Sequence, residues 1–98
     1  MPDALRGIKG FEWDEGNSGK NELKHGVTDR ESEEIFFDTP LVVARSSKGS
    51  PEIRYVALGK TYGSRLLTVV FTLRANRIRV ISARPMSRNE RKVYEEEH

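Results

Sequence analysis

Cysteine is missing from all 98 residues, which excludes a disulfide scaffold, a Cys-based zinc site and a thiol nucleophile. Histidine occurs only at His25 and His98. No His/Asp/Glu cluster has metal-ligand spacing, so no metal site is expected. The glycines form neither a Walker loop nor a dinucleotide fingerprint, and no cofactor is expected. Long apolar runs are absent as well. Nothing approaches the roughly 20 residues that span a bilayer, and the N-terminus lacks a signal-type stretch. The expectation is a soluble cytoplasmic protein with no membrane contact.

Charge, by contrast, is plentiful and unevenly placed. Hydrophobic residues make up 36% of the chain and charged residues 33%, yet the net charge is only +2. Residues 45–92 hold twelve Lys/Arg against Glu52 and Glu90, a local balance of +10. Residues 1–44 hold five basic and ten acidic groups, and Glu95, Glu96 and Glu97 add three more negative charges. A basic block confined to half of a small domain is the electrostatic footprint of a polyanion binder. Within it Arg outnumbers Lys nine to three, and a planar guanidinium fork suits phosphate oxygens. Ordinary solvated strand and helix faces are the alternative reading.

The chain length fits one domain with a modest core. Residues 1–10 have no clear period and read as a flexible leader, with a single domain over 11–98. A weak helix is expected from Asp14, as its N-cap, to a left-handed stop at Gly26. Gly16 and Gly19 lie inside it, so it requires packing through Trp13, Leu23 and Val27. Thr28-Asp29-Arg30-Glu31 has capping-box spacing and opens a second helix through Ile35 and Phe36, closed before Pro40. Then the period changes. Runs 41–45, 53–59, 66–73 and 77–83 have strand composition, and the connections 46–51, 60–64 and 75–76 carry turn residues. Leu67, Val69, Phe71 and Leu73 alternate with Thr68, Thr72 and Arg74, which predicts one buried and one partly wet face. Pro85 stops the last strand, and Ser87-Arg88-Asn89-Glu90 caps a C-terminal helix. The expected fold class is α+β: two N-terminal helices, a four-stranded antiparallel meander and one C-terminal helix.

Several of these segments together resemble one family. They are Phe11-Glu12-Trp13-Asp14, Asn21, Lys24-His25-Gly26-Val27, Phe36-Phe37-Asp38, Pro40, Arg54-Tyr55, Leu58-Gly59, Gly63 with Arg65-Leu66, Val69-Val70-Phe71-Thr72, Arg77 to Arg84, Ser87, Glu90-Arg91 and Tyr94. In this order and spacing they are similar to the BrnT family. The resemblance implies a RelE-like fold and a ribonuclease toxin of a type II toxin–antitoxin pair. It also implies neutralisation by a BrnA-like ribbon-helix-helix antitoxin, as a heterotetramer that binds its own operator DNA through the antitoxin. The chain departs from the family at Asn17, where a lysine is usual.

A metal-independent endoribonuclease that uses the substrate's 2′-hydroxyl needs a base, a cation for the phosphorane-like transition state and an acid. Histidine is the side-chain type suited to proton transfer near neutral pH, and His25 stands at a helix C-terminus; it is either the base or a helix-ending residue bonded to a carbonyl. Glu90 is the other candidate base, although its capping box explains it equally well. Arg65 and Arg84 lie at strand ends that can aim them at a phosphate. These four form the candidate catalytic set. Lys24, Arg74, Arg79, Arg88, Arg91 and Tyr94 are the candidate RNA contacts. Arg88, Arg91 and Lys92 can instead pair with Glu95 and Glu96, and Tyr94 can instead pack between helix and sheet. Trp13 and Asp14 read as a core anchor and a cap. A non-catalytic nucleic-acid-binding module, or a degenerate toxin, is the alternative to an enzyme that cuts RNA and inhibits translation.

Overall fold

The computed structural model describes residues 5–46 and 52–97. The first four residues of the leader and most of the connection 46–51 lie outside them. A five-stranded sheet forms the centre, in the order β1-β5-β4-β3-β2. Its strands are β1 (Gly10–Phe11), β2 (Val42–Ser46), β3 (Arg54–Lys60), β4 (Leu66–Arg74) and β5 (Arg77–Pro85). The helices are α1 (Lys20–His25), α2 (Asp29–Glu34), continued by a 3₁₀ turn Ile35–Phe37, and α3 (Arg88–Glu96). The α+β class and the β2-to-β5 antiparallel meander agree with the sequence reading.

Two expectations need correction. The sheet is mixed, because a short strand β1 not expected from the sequence, at the junction of the expected leader and domain, pairs parallel with β5 through Gly10↔Arg77 and Phe11↔Ile78. The first helix is also much shorter than expected. Asp14 does not cap it: its carboxylate accepts from the Gly16 amide and from Arg79 instead. Residues 15–19 form turns, and Gly19 takes the cap position with φ 73°. That left-handed geometry suits glycine, so the residue that weakened the sequence reading is what starts the helix. Gly26 ends it at φ 67°, as expected. Leu23 is 90% exposed and anchors nothing, whereas Val27 is fully buried.

Strand alternation sorts the sheet into two faces. Leu67, Val69 and Phe71 of β4 pack with Ala57, Ile78, Val80 and Ala83 against Val27, Ile35 and Phe36 from the helical segment. The rings of Phe36 and Tyr55 both meet Phe71. This is the main core. The opposite face carries Arg54, Val56 and Leu58 of β3, Thr68, Val70 and Thr72 of β4, and Arg79, Ser82 and Arg84 of β5, by period-two alternation and pairing. α3 covers one end of it, where Tyr94 packs with Leu58 and Met86. The face was expected to be partly wet, and its middle is half-buried. A register shift opposite Val70 and Phe71 preserves the facing on both sides of Ile81.

Candidate functional site

The capping box of α3 does more than start a helix. Ser87 Oγ accepts from the Glu90 amide, and Glu90 Oε1 accepts from the Ser87 amide at 2.8 Å. The same carboxylate lies over the open sheet face. There Arg84 donates through both terminal nitrogens, Nη1 to Oε1 at 2.7 Å and Nη2 to Oε2 at 2.8 Å. Thr68, opposite Arg84 in the β4–β5 register, donates its hydroxyl to Oε1 at 2.9 Å. Arg84 above all, with help from the Ser87 amide and Thr68, outweighs burial and holds the Glu90 carboxyl at about 2. Arg84 is correspondingly raised by Glu90. Two of the four candidate catalytic residues thus meet in one bidentate pair.

The other two stand on the helical side of the sheet. Arg65 Nη1 donates to both Glu31 oxygens at 3.0 and 2.9 Å and to the Gly26 carbonyl at 3.0 Å. It ties the start of β4 to the junction of α1 and α2. Burial pushes Glu31 up, but the Thr28 amide and Arg65 more than offset it and leave this carboxyl below its usual range. His25 and Lys24 occupy the last turn of α1, exposed. They therefore neighbour Arg65, not the Arg84–Glu90 pair. Arg65 begins three residues, about 10 Å, before Thr68 along β4, so both clusters border one end of the sheet from opposite faces.

The candidate RNA contacts also separate. Arg79 donates to Glu12 and Asp14 at 2.9 Å each through Nη1, and its bond to Asp14 is the main cause that lowers that carboxyl. Arg74 pairs with Glu52 at 3.3 Å and lies 3.9 Å from Glu12. These two arginines spend their charge within the protein. Tyr94 is 1% exposed, and its hydroxyl donates to the Pro40 carbonyl at 2.8 Å. The ring packs with Leu58 and Met86, the helix-to-sheet packing role that was the alternative to an RNA contact. Arg88 and Arg91 are exposed, as is Lys92, and the described residues contain no ion pair from any of them to Glu95 or Glu96. Asn17 is 5% exposed and bonds the Glu12 and Val80 carbonyls. It locks the residue 15–19 turns to β5 and does not face solvent.

Two clefts bear on which surface takes a polyanion. One of about 490 Å³ on the helical side is lined by Trp13, Asp29, Arg30, Glu33, Glu34, Phe37 and Tyr62. Its three carboxylates against one arginine disfavour phosphate. The other, about 240 Å³, runs beside α3 over Val42, Ala44, Val56 and Leu58, with Glu90 on its border. Sequence reading missed Arg54, which starts β3 on this same face and whose Nε is buried without an acceptor. The available signal was an arginine in phase with Val56 and Leu58, where the alternation calls for apolar side chains. Among the described residues no group of three His, Asp or Glu side chains is arranged to hold a metal ion, and no helix is long and apolar enough to cross a membrane.

Residues 13–90 match the family described as ribonuclease toxin, BrnT, of type II toxin–antitoxin system. No curated protein matches the chain.

Proposed function

The chain belongs to the BrnT family of ribonuclease toxins of type II toxin–antitoxin systems, and from that membership we propose that it is a metal-independent endoribonuclease whose reacting centre is the Arg84–Glu90 pair. The observation that carries this reading is the bidentate contact itself. A backbone phosphate offers a guanidinium the same two-oxygen edge that Glu90 offers. When Arg84 turns to the phosphate, Glu90 loses the bond that lowers it most and becomes a stronger base. Glu90 then accepts the proton of the 2′-hydroxyl. The 2′-oxygen attacks the adjacent phosphorus, Arg84 stabilises the charge that develops, and the 5′-oxygen leaves with a proton from solvent. The products are a 2′,3′-cyclic phosphate and a 5′-hydroxyl end. Thr68 keeps Glu90 in place during the exchange, and the exposed Arg88 and Arg91 on α3 hold the strand by its phosphates.

His25 and Lys24 stand on the helical side, off the trough, and His25 has no step in this scheme. Arg65 positions the junction of α1 and α2. Cleavage of cellular RNA inhibits translation in the cytoplasm. A BrnA-like ribbon-helix-helix antitoxin silences the toxin in a heterotetramer that binds operator DNA through the antitoxin.

The deciding assay is cleavage of an end-labelled RNA by purified protein in excess EDTA, with wild type, Glu90→Gln and His25→Ala compared. Gln retains the capping-box geometry, so Glu90→Gln should stay folded. It should bind RNA and cut it about 10²–10⁴-fold more slowly. His25→Ala should cut at a rate close to wild type. An inactive His25→Ala beside an active Glu90→Gln would move the base to the helical side. RNA bound by the wild type but never cut would favour a non-catalytic binding module.

A further inference from the structure

Among the described residues, Arg54 is the one side chain whose buried nitrogen finds no acceptor: its Nε is shielded from solvent and makes no hydrogen bond. No carboxylate among the described residues pairs with its guanidinium either. On the same face Arg74, Arg79 and Arg84 are each held by Glu12, Asp14, Glu52 or Glu90. A shielded donor without a partner is costly, and each such group in a folded protein calls for an explanation, a functional role among them.

Its position on the sheet says what that role is. Arg54 lies opposite Thr72 of β4, and Arg84 lies opposite Thr68. The two threonines are four positions apart, about 13 Å along the strand. Val56, Val70 and Ser82 lie between them, all half-buried, and form a shallow floor. A cation at each end of such a floor matches an extended polyanion, with sugars and bases lying across the apolar side chains. Building on the proposed ribonuclease reading, we infer that Arg54 anchors a backbone phosphate of the RNA away from the cleaved one. The open face from Arg84 to Arg54 is then a trough that takes more than one nucleotide. Arg54 touches substrate but not the reacting atoms, so it acts on binding and registration of the strand.

The test separates this role from cleavage by using an RNA hexamer with 2′-O-methyl sugars throughout, which has no nucleophile. Arg54→Met should weaken hexamer binding about 5–30-fold and reduce the slope of log K against log salt by about 0.7. Arg54→Lys, which keeps the charge, should recover most of the slope and part of the affinity. With cleavable substrates Arg54→Met should raise KM for a hexamer at nearly unchanged kcat, and leave a dinucleotide unaffected. Both variants should fold, since each removes an unsatisfied donor, and a thermal melt checks this. Hexamer binding and salt slope equal to wild type in Arg54→Met would overturn the anchor while leaving cleavage untouched. Wild-type binding without cleavage, still sensitive to Arg54→Met, would instead sink the catalytic reading alone. A wild type that neither binds nor cuts RNA would overturn both.

Discussion

Glu90 satisfies three donors from three different parts of the chain: Ser87 of its own cap, Thr68 of β4 and Arg84 of β5. This convergence has a consequence for stability. The carboxyl titrates at about 2 in the folded protein against an ordinary 4.5. Its contribution is therefore fully present above pH 4.5 and is lost as pH falls toward 2. The side chains of the pair are 38% (Arg84) and 24% (Glu90) exposed, so solvent screening reduces the contribution to about 2 kcal/mol. Asp14 and Glu31 shift in the same direction, and a difference measurement removes them. Urea unfolding of wild type and Glu90→Gln should differ most at pH 6–7, with the gap shrinking below pH 4.5 and closing only as pH falls to 2 and below. A gap that stays constant across that range would mean that Arg84 does not hold the carboxylate in solution.

At the scale of elements, β3 approaches the 3₁₀ turn so closely that no side chain fits between them. A Cβ on Gly59 would sit 2.8 Å from Ile35 Cβ and 3.1 Å from the Ile35 carbonyl oxygen. Ile35 is fully buried, so neither atom can yield cheaply. Gly59→Ala should cost about 1–3 kcal/mol. Gly63→Ala, whose new Cβ finds nothing nearer than Thr61 Oγ1 at 3.9 Å, should fall within about 0.5 kcal/mol of wild type. Equal midpoints for the two variants in urea would contradict this packing. Elements were legible in the sequence wherever their signal is local. Both capping boxes, Thr28/Glu31 and Ser87/Glu90, formed as their spacing indicated, and the meander was readable from period-two alternation and turn residues. β1 was not readable: two residues have no period, and their partners Arg77 and Ile78 lie 67 positions further along the chain. Asp14 misled because Arg79, 65 residues away, competes for the carboxylate that would cap a helix. The candidate site follows the same rule. The types of its residues were readable, but which arginines are neutralised depends on partners such as Glu31 for Arg65, 34 positions apart.

That partnering sets the electrostatics of the whole molecule. Counted along the chain, twelve cations lie in residues 45–92. In the fold Arg65, Arg74, Arg79 and Arg84 are paired with carboxylates. Three of these four would have to abandon a partner to reach RNA without any catalytic return; only Arg84 exchanges a carboxylate for a reacting phosphate. The surface around the trough then offers Arg54 and Arg84, with Arg88, Arg91 and Lys92 exposed on α3. The helical side is lined by Asp29, Glu33 and Glu34 around Trp13 and repels a second strand. For single-stranded RNA each phosphate neutralised contributes about 0.7 to the slope of log K against log salt. Twelve engaged cations would give a slope near −8, whereas three to five give roughly −2 to −3.5. Filter binding of a 2′-O-methyl RNA between about 50 and 200 mM salt should return the shallower value. Charge reversal at Arg88 or Lys92 should flatten it further, while reversal at Arg77, beyond the trough at the far end of β5, should leave it unchanged. A slope near −8 would mean that RNA strips the internal ion pairs of Arg65, Arg74 and Arg79, and that the protein binds with both faces and not with one.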